Sequence, residues 1–317
     1  MLWASIAHAV AFGNSAKRKY AKIFQSALVT EGEPMTDTPP VRRRLLGASL
    51  RRLREQAGFT LDDAARVLEC DRSKISRIET GQRGIRPKEL RELLAEYGVD
   101  QRRADALGTI ARQASQAGWW QTYGHVLDDA YQDFISLEAS AQAIWTYEAQ
   151  LVPGLLQTEE YARAIAAASL VAETQEQREQ YVQARLTRQQ ILTRDTPLQF
   201  WAILSEGALR QLVGGPQVMK AQLRYLVEVS TSRPNVNLQV LPFAAGAHAA
   251  TSGPFVIMKF PEAPDLGVVY LEGQTGGIYL ESAGEVARYT LSFEHLRASA
   301  LSTAATVRLI DEVARDT

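Results

Sequence analysis

The sequence predicts an N-terminal all-α domain of five helices built around a helix-turn-helix, followed by an α+β domain with a small sheet flanked by helices. Three observations carry that prediction. Residues Gly58–Gly81, GFTLDDAARVLECDRSKISRIETG, spell two short amphipathic helices joined by a tight turn. The stretches on either side continue the three-and-four spacing of apolar residues. From Pro197 onward the texture changes to short β-prone runs separated by turn residues.

The first helix is marked by an inner stripe of Leu46, Leu50, Leu53 and Ala57, and Gly58 ends it. Thr60 can cap the next, whose Leu61, Ala64, Ala65 and Leu68 share one face, with the two alanines small enough for close helix approach. After a turn at Glu69 and Cys70, Asp71 is a second N-cap candidate. Ile75 and Ile78 then face inward, Arg72, Ser73, Lys74 and Arg77 face outward, and Gly81 stops the helix. Pro87 opens a fourth helix through Leu90, Leu93, Leu94 and Tyr97, closed by Gly98. A fifth starts at Asp100 and runs through Leu107, Ile110, Ala111 and Ala114.

An apolar underside with a basic, hydrogen-bonding upper face is what a helix needs to lie in a major groove. There arginine grips guanine bidentately, and serine donates or accepts. The DNA-binding candidates are therefore Thr60, Asp71, Arg72, Ser73, Lys74 and Arg77, with Arg72, Ser73 and Arg77 placed to reach base edges and Lys74 to meet phosphate.

These residues resemble the Xre/Cro-like, phage-repressor-like DNA-binding domain. Gly58, Thr60, Ala65, Leu68, Ile75, Ser76, Glu79 and Gly81 match that family's pattern. Leu61 stands where a glutamine is common, Glu69 replaces the glycine of the turn, Cys70 a buried valine and Asp71 a capping serine or threonine. The missing glutamine removes one habitual DNA contact, and Glu69 is less comfortable than glycine in a left-handed turn. The resemblance also implies a structural pair between Arg54 and Glu79, a reading favoured over the bottom-up alternative of two solvated surface charges.

Charge is segregated along the chain. Overall it is near neutral, at a net −1. Residues 41–103, however, carry 16 lysines and arginines against 10 acids, whereas 104–317 carry 15 against 23. One end attracts phosphate and the remainder repels it. A single cysteine, Cys70, and four histidines in 317 residues point to a reduced, cytoplasmic, nucleoid-associated protein of more than one domain, not to a disulfide or metal scaffold; no cofactor is expected. No apolar run approaches the ~20 residues that span a bilayer.

Residues 1–40 read as a leader. The apolar opening Met1 to Phe12 precedes the basic Lys17 to Lys22 cluster, the reverse of a signal peptide. Glu31-Gly32-Glu33 must be encoded by a purine-rich stretch a few nucleotides ahead of Met35, as a bacterial ribosome-binding site would be. Met35 is thus the expected natural start. The DNA-binding domain is expected over 41–117 and the α+β domain over 118–317, with the boundary marked by Gly118, Trp119 and Trp120.

Within the second domain, Asp129 to Trp145 reads as one helix with Phe134, Leu137, Ala141, Ile144 and Trp145 inward. Thr146 to Thr158, interrupted by Pro153 and Gly154, reads as an ordered loop before a helix capped by Thr158. Thr174 and Gln177 form a capping box for a helix to about Thr193. Strands are expected at Leu198–Leu204, Val236–Leu241, Phe255–Phe260 and Val268–Glu272. A helix starts near Pro216, and Ala283–Asp316 returns to helix. Strand order is not readable.

This region is similar to the C-terminal domain of WhiJ-like actinobacterial regulators, a domain of unknown function. The words that carry the likeness are GWW at Gly118, YEAQLVPGLLQTEEYARA at Tyr147, VGGPQVMKAQL at Val213, NLQVLPFAAGAH at Asn237, GPF at Gly253 and VVYLEGQTGGIYL at Val268. The resemblance implies a transcription factor of development or specialised metabolism, often encoded beside a small partner protein. It supplies no ligand.

An enzymatic second domain is not expected. Gly273-Gln-Thr-Gly-Gly277 lacks the lysine and spacing of a P-loop and reads as a tight turn between strands, and no G-x-S-x-G or H-E-x-x-H occurs. His248 and Glu272 are an imaginable acid–base pair, but a satisfied loop histidine is the simpler reading. Trp119, Trp120, Trp145 and Trp201 read first as core and second as the lining of a ligand pocket.

The whole predicts a sequence-specific regulator binding double-stranded operator DNA as a homodimer, with a C-terminal domain that senses a small-molecule effector or a small protein partner. The alternative is an antitoxin-like interaction protein whose DNA binding autoregulates its own gene.

Overall fold

The computed structural model describes residues 41–113, 119–124, 126–168, 174–260, 267–273 and 276–317. The expected leader and Met35 start, and Ala114 and Gly118, lie outside the described residues.

Five helices form the N-terminal bundle: α1 Val41–Gln56, α2 Leu61–Val67, α3 Arg72–Glu79, α4 Pro87–Glu96 and α5 Gln101–Gln113. Their stripes meet in one core in which Leu50, Ala64, Ile75, Leu90, Leu93, Leu94 and Leu107 are almost fully buried. The helix-ending glycines Gly58, Gly81 and Gly98 all adopt positive φ. Gly81 is required for a second reason, because a Cβ there would lie 2.8 Å from the Arg44 backbone nitrogen. Gly47 permits the closest helix crossing: a Cβ on it would come within 2.5 Å of the carbonyl oxygens of Ile78 and Glu79.

The C-terminal part contains α6 Asp129–Ser140, β1 Ala143–Glu148, α7 Glu159–Ala168, α8 Gln175–Arg188, β2 Gln199–Ser205, α9 Glu206–Arg210, α10 Pro216–Ser232 and β3 Val236–Leu241. It continues with β4 Phe255–Lys259, β5 Gly267–Gly273, β6 Gly276–Leu280, α11 Ala283–Ser299 and α12 Thr303–Asp316. The sheet order is β3-β2-β1-β4-β5-β6. β1, β2 and β3 run parallel, and the pairs β1–β4, β4–β5 and β5–β6 are antiparallel.

Both faces of this sheet are covered. Ile144, Ala202, Leu238, Met258 and Val268 face a large core shared with Phe134 of α6, Tyr161 of α7, Leu223 of α10 and Ile310 of α12. Tyr147, Ile203, Ile257 and Val269 face the other way, under Phe293 and Leu296 of α11. The domain is α+β, as the alternation of textures predicts, with the large core on one face and a single long helix on the other.

Two elements differ from the sequence reading. The helix expected to reach Trp145 stops at Ser140, because Ala141 turns extended (φ −66°, ψ 143°), and Ala143–Glu148 becomes the central strand. A strand buried on both faces has no alternation to show, so Ile144 and Trp145 fit a helical stripe equally well. The loop expected from Thr146 therefore begins after Glu148. The edge strand β6 had no β-prone run of its own, since its first two residues are glycines. Elsewhere differences are at boundaries: α8 ends at Arg188 in a 3₁₀ turn at Gln189–Leu192, and the C-terminal helical stretch breaks into α11 and α12 around Leu301.

α1 belongs to both halves. Leu46, Leu50 and Leu53 sit in the N-terminal core, but Val41 and Leu45, 1% and 4% exposed, are buried in the core of the second. Arg42 hydrogen-bonds Ser140, and Arg44 Nη2 pairs with Glu281 Oε1 at 2.6 Å. Burial of Arg42 lowers its pKa to about 10.

Candidate nucleic-acid interface

The recognition geometry begins at the start of α2. The Thr60 hydroxyl accepts from Asp63 N–H at 3.1 Å while Asp63 Oδ2 accepts from Thr60 N–H at 2.7 Å, a reciprocal capping box. The Thr60 hydroxyl also donates to Asp63 Oδ2 at 2.6 Å, and this bond, with that from Thr60 N–H, holds the Asp63 carboxyl below its ordinary range. Thr60 itself is exposed at the front of the motif.

The turn between α2 and α3 passes through Glu69 at φ 48°, the single non-glycine residue at positive φ among those described. Asp71 follows in the N-cap position of α3, extended at φ −72° and ψ 145°, but its side chain makes no capping bond. The expectation of Asp71 as a working N-cap is thereby corrected: its carboxylate points to solvent, leaving the helix start uncapped by it.

α3 is amphipathic as its spacing predicts. Ile75 and Ile78 are 1% and 2% exposed, and Arg72, Ser73 and Arg77 lie on the open side. Arg77 Nε donates to the Ser73 carbonyl at 3.2 Å, and Arg72 approaches Asp62 at 3.9 Å, both weak, solvated restraints. Lys74 departs from the expected outward face. Its Nζ lies 2.7 Å from Glu89 Oε1, with both side chains 18% exposed, so it ties α3 to the first turn of α4. Glu89 also takes the Arg86 backbone N–H at 3.2 Å. Lys74 is turned inward because Glu89 sits beneath it, a contact 15 residues away that helical periodicity does not reveal.

Behind α3, Arg54 reaches from the last turn of α1. Nε donates to Glu79 Oε1 at 2.7 Å and Nη2 to Glu79 Oε2 at 3.0 Å, with Nη1 donating to the Phe59 carbonyl at 2.8 Å. Both side chains are nearly inaccessible, and the Glu79 hydrogen bond strengthens Arg54's hold on its proton. Tyr97 is packed beside the pair, and burial pushes its phenol well above the usual range.

The sequence did not single out Arg43 or Arg83. They line a small cleft beside Leu46, Ile78 and Ile85, flanking the end of the recognition helix, and Arg83 N–H donates to the Arg77 carbonyl at 2.9 Å. Only the run of basic residues in this segment hinted at them.

In the second domain the four tryptophans do not converge. Trp145 and Trp201 lie 5.1 and 6.4 Å from Phe293 on the α11 face, whereas Trp119 and Trp120 pack on the other core. His248 and Glu272 are also apart. His248 Nε2 lies 3.3 Å from the Tyr147 hydroxyl and Nδ1 accepts the Ala250 N–H, while Glu272 continues the Val268 and Tyr270 row of the opposite face. No cluster of three or more metal-ligating side chains occurs among the described residues, and no described helix is long and apolar enough to cross a membrane.

Residues 45–107 match the family described as a helix-turn-helix domain, and residues 131–312 match the domain of unknown function DUF5753. No curated protein and no solved structure matches the chain. With more than half its length in that second match, the chain belongs to the DUF5753 family, and its N-terminal helix-turn-helix marks it as a DNA-binding regulator.

Proposed function

We propose that this protein is a sequence-specific transcriptional regulator of the WhiJ-like actinobacterial type, which lays α3 in the major groove and senses an effector through its C-terminal domain. The observation that carries the reading is the open row Arg72, Ser73 and Arg77 on a helix whose reverse side is fixed by Ile75, Ile78 and the Arg54–Glu79 pair. Arg72 and Arg77 stand about 7.5 Å apart along the helix axis, roughly two base-pair steps. Thr60 and Arg83 are positioned to meet the backbone on either side.

In this reading two copies bind half-sites about one helical turn, ~34 Å, apart, because one short helix touches only a few base pairs. The acidic second domain, which repels phosphate, holds the heads at that spacing and performs no chemistry of its own. The protein works in the cytoplasm, on the nucleoid.

Genome-wide mapping of bound DNA would define the operator, against which Arg72→Ala and Arg77→Ala are then measured. Each should cost ~1–3 kcal/mol and relax preference at one position. Unchanged affinity of Arg77→Ala for both operator and random DNA would overturn the groove assignment. Co-purification separates a retained metabolite, favouring an effector sensor, from a stoichiometric small protein, favouring the antitoxin-like alternative.

A further inference from the structure

The sheet has two edges, and only one is closed. On the β3 edge the Leu301 N–H donates to the Val240 carbonyl at 2.9 Å and the Thr306 hydroxyl accepts the Val240 N–H at 3.0 Å, so the entry into α12 takes the place of a neighbouring strand. β6, at the other edge, pairs with β5 alone. Gly273 and Gly276 are the last register pair, with two residues between them. The pair that closes such a turn exchanges its backbone bonds, and along an antiparallel ladder bonded pairs alternate with unbonded ones. Ile278 therefore bonds inward to Leu271, whereas Gly277 and Tyr279 turn their N–H and C=O outward. Among the described residues nothing meets these outward groups.

The strand is firmly seated on its inner side. Tyr279 packs on the large core, its ring 5.0 Å from that of Tyr270 and its hydroxyl donating to the Ala130 carbonyl of α6 at 2.7 Å. A Cβ on Gly277 would overlap the Tyr270 ring, so glycine is required there. Ile278 points the other way, to the α11 side, where its neighbours Leu271 and Leu280 are partly buried, yet it is itself 60% exposed. Proteins ordinarily guard an open edge with charged residues, proline or a covering segment. Gly276–Leu280, GGIYL, has no charge and no proline, and it leaves a large aliphatic side chain in water beside unused backbone groups. Strand addition from another chain satisfies both.

We infer that β6 pairs antiparallel with β6 of a second copy of this chain, joining the two sheets across a two-fold axis. The strand is complementary to itself. With the axis at Ile278, the outward groups of Gly277 in each copy meet those of Tyr279 in the other, making about four backbone bonds. Tyr279 and Leu280 of one copy then stand opposite Gly277 and Gly276 of the other, so bulky residues face glycines and the two Ile278 side chains cover each other. Charge selects the same place. Residues 104–317, with 15 bases against 23 acids, repel a second copy in general, but the strand is neutral and the acid that follows it, Glu281, is held by Arg44. A two-fold axis is also what paired half-sites require. The inference rests on the two-copy operator binding proposed above and assigns the surface that joins the copies.

The test is sedimentation of the full-length protein without DNA over a range of concentrations. The parent should associate into pairs. Ile278→Lys and Ile278→Asp, at a position exposed in the single chain, should each weaken association at least about tenfold, because like charges then meet at the axis. An equimolar mixture of the two variants should restore it as a one-to-one pair. Phe243→Lys, at an exposed position beyond β3, should change nothing. Urea midpoints of the Ile278 variants equal to the parent's show that a loss of association is not unfolding. A parent that stays single at every concentration, association that survives both Ile278 variants, or a mixture that stays dissociated would overturn the proposal. Operator affinity separates the two claims. Unpaired Ile278 variants that bind the operator as tightly as the parent keep this interface and remove the two-copy reading. Variants that remain paired and bind the operator normally remove the interface and keep that reading.

Discussion

Arg54 and Glu79 meet through two parallel hydrogen bonds of 2.7 and 3.0 Å, 25 residues apart in sequence and almost wholly out of water. The pair fixes the last residue of the recognition helix to the last turn of α1. Exposed ion pairs contribute ~0–1 kcal/mol, but removing one partner of a buried pair leaves an uncompensated charge. We expect Arg54→Ala and Glu79→Ala each to destabilise the protein by about 3–5 kcal/mol, with strong coupling in a double-mutant cycle. Additive single effects in chemical denaturation would show that the pair contributes nothing beyond its separate charges.

Gly47→Ala tests the helix crossing. Helix propensity alone favours alanine by about 1 kcal/mol. Against it, the new Cβ would press on two backbone carbonyls at 2.5 Å, and overpacking of this kind costs about 1–3 kcal/mol. Because backbone rather than a flexible side chain must yield, the steric effect should prevail, lowering stability and displacing α3 from its seat. A variant as stable as the parent, with unchanged operator affinity, would mean that the crossing is loose.

Glu69→Gly should act in the opposite direction. A side chain at φ 48° carries roughly 1–2 kcal/mol of local strain, part of which the larger unfolded-state entropy of glycine offsets. The expected net is a gain of about 0.5–1 kcal/mol, read as a raised melting temperature; a loss would show that the Glu69 side chain makes a compensating contact.

The ionisation of Glu148 gives a pH dependence of defined sign. Burial pushes its carboxyl up to about 7; the Thr146 hydroxyl and Arg185 of α8 oppose the shift, and Glu272 of β5 adds to it. The folded state thus binds this proton more tightly than the unfolded state does. The associated stability is fully present below about 4.5 and is lost as pH rises through about 7. Relative to Glu148→Gln, the parent should lose on the order of 1–3 kcal/mol between pH 5 and pH 8. Urea denaturation of both proteins at the two pH values checks this, and parallel curves would place the pKa of Glu148 near its ordinary value.

What was legible in the sequence followed local periodicity. The helix stripes around Leu50 and Ile75, the caps at Thr60 and Thr174, and the strand at Val236–Leu241 declare themselves within a few residues. What escaped depends on contacts distant in sequence. β1 reads as helix because both its faces are covered, and Lys74 reads as outward because Glu89 arrives from another helix. Gly47 gave no local signal, since its reason for being glycine lies across a helix crossing at Ile78 and Glu79.

The route of α1 limits how modular this protein is. A segment cut from the chain after α5 would still carry the complete reading motif, but Val41 and Leu45 would lose the surface that covers them and Arg44 its partner Glu281. The head is therefore not a detachable cartridge. Grafting it onto another regulator requires either transplanting the patch around Ser140 and Glu281 along with it or recolouring the first turn of α1 with polar residues. Glu281, directly after β6, thus anchors the root of the very helix whose far end grips Glu79.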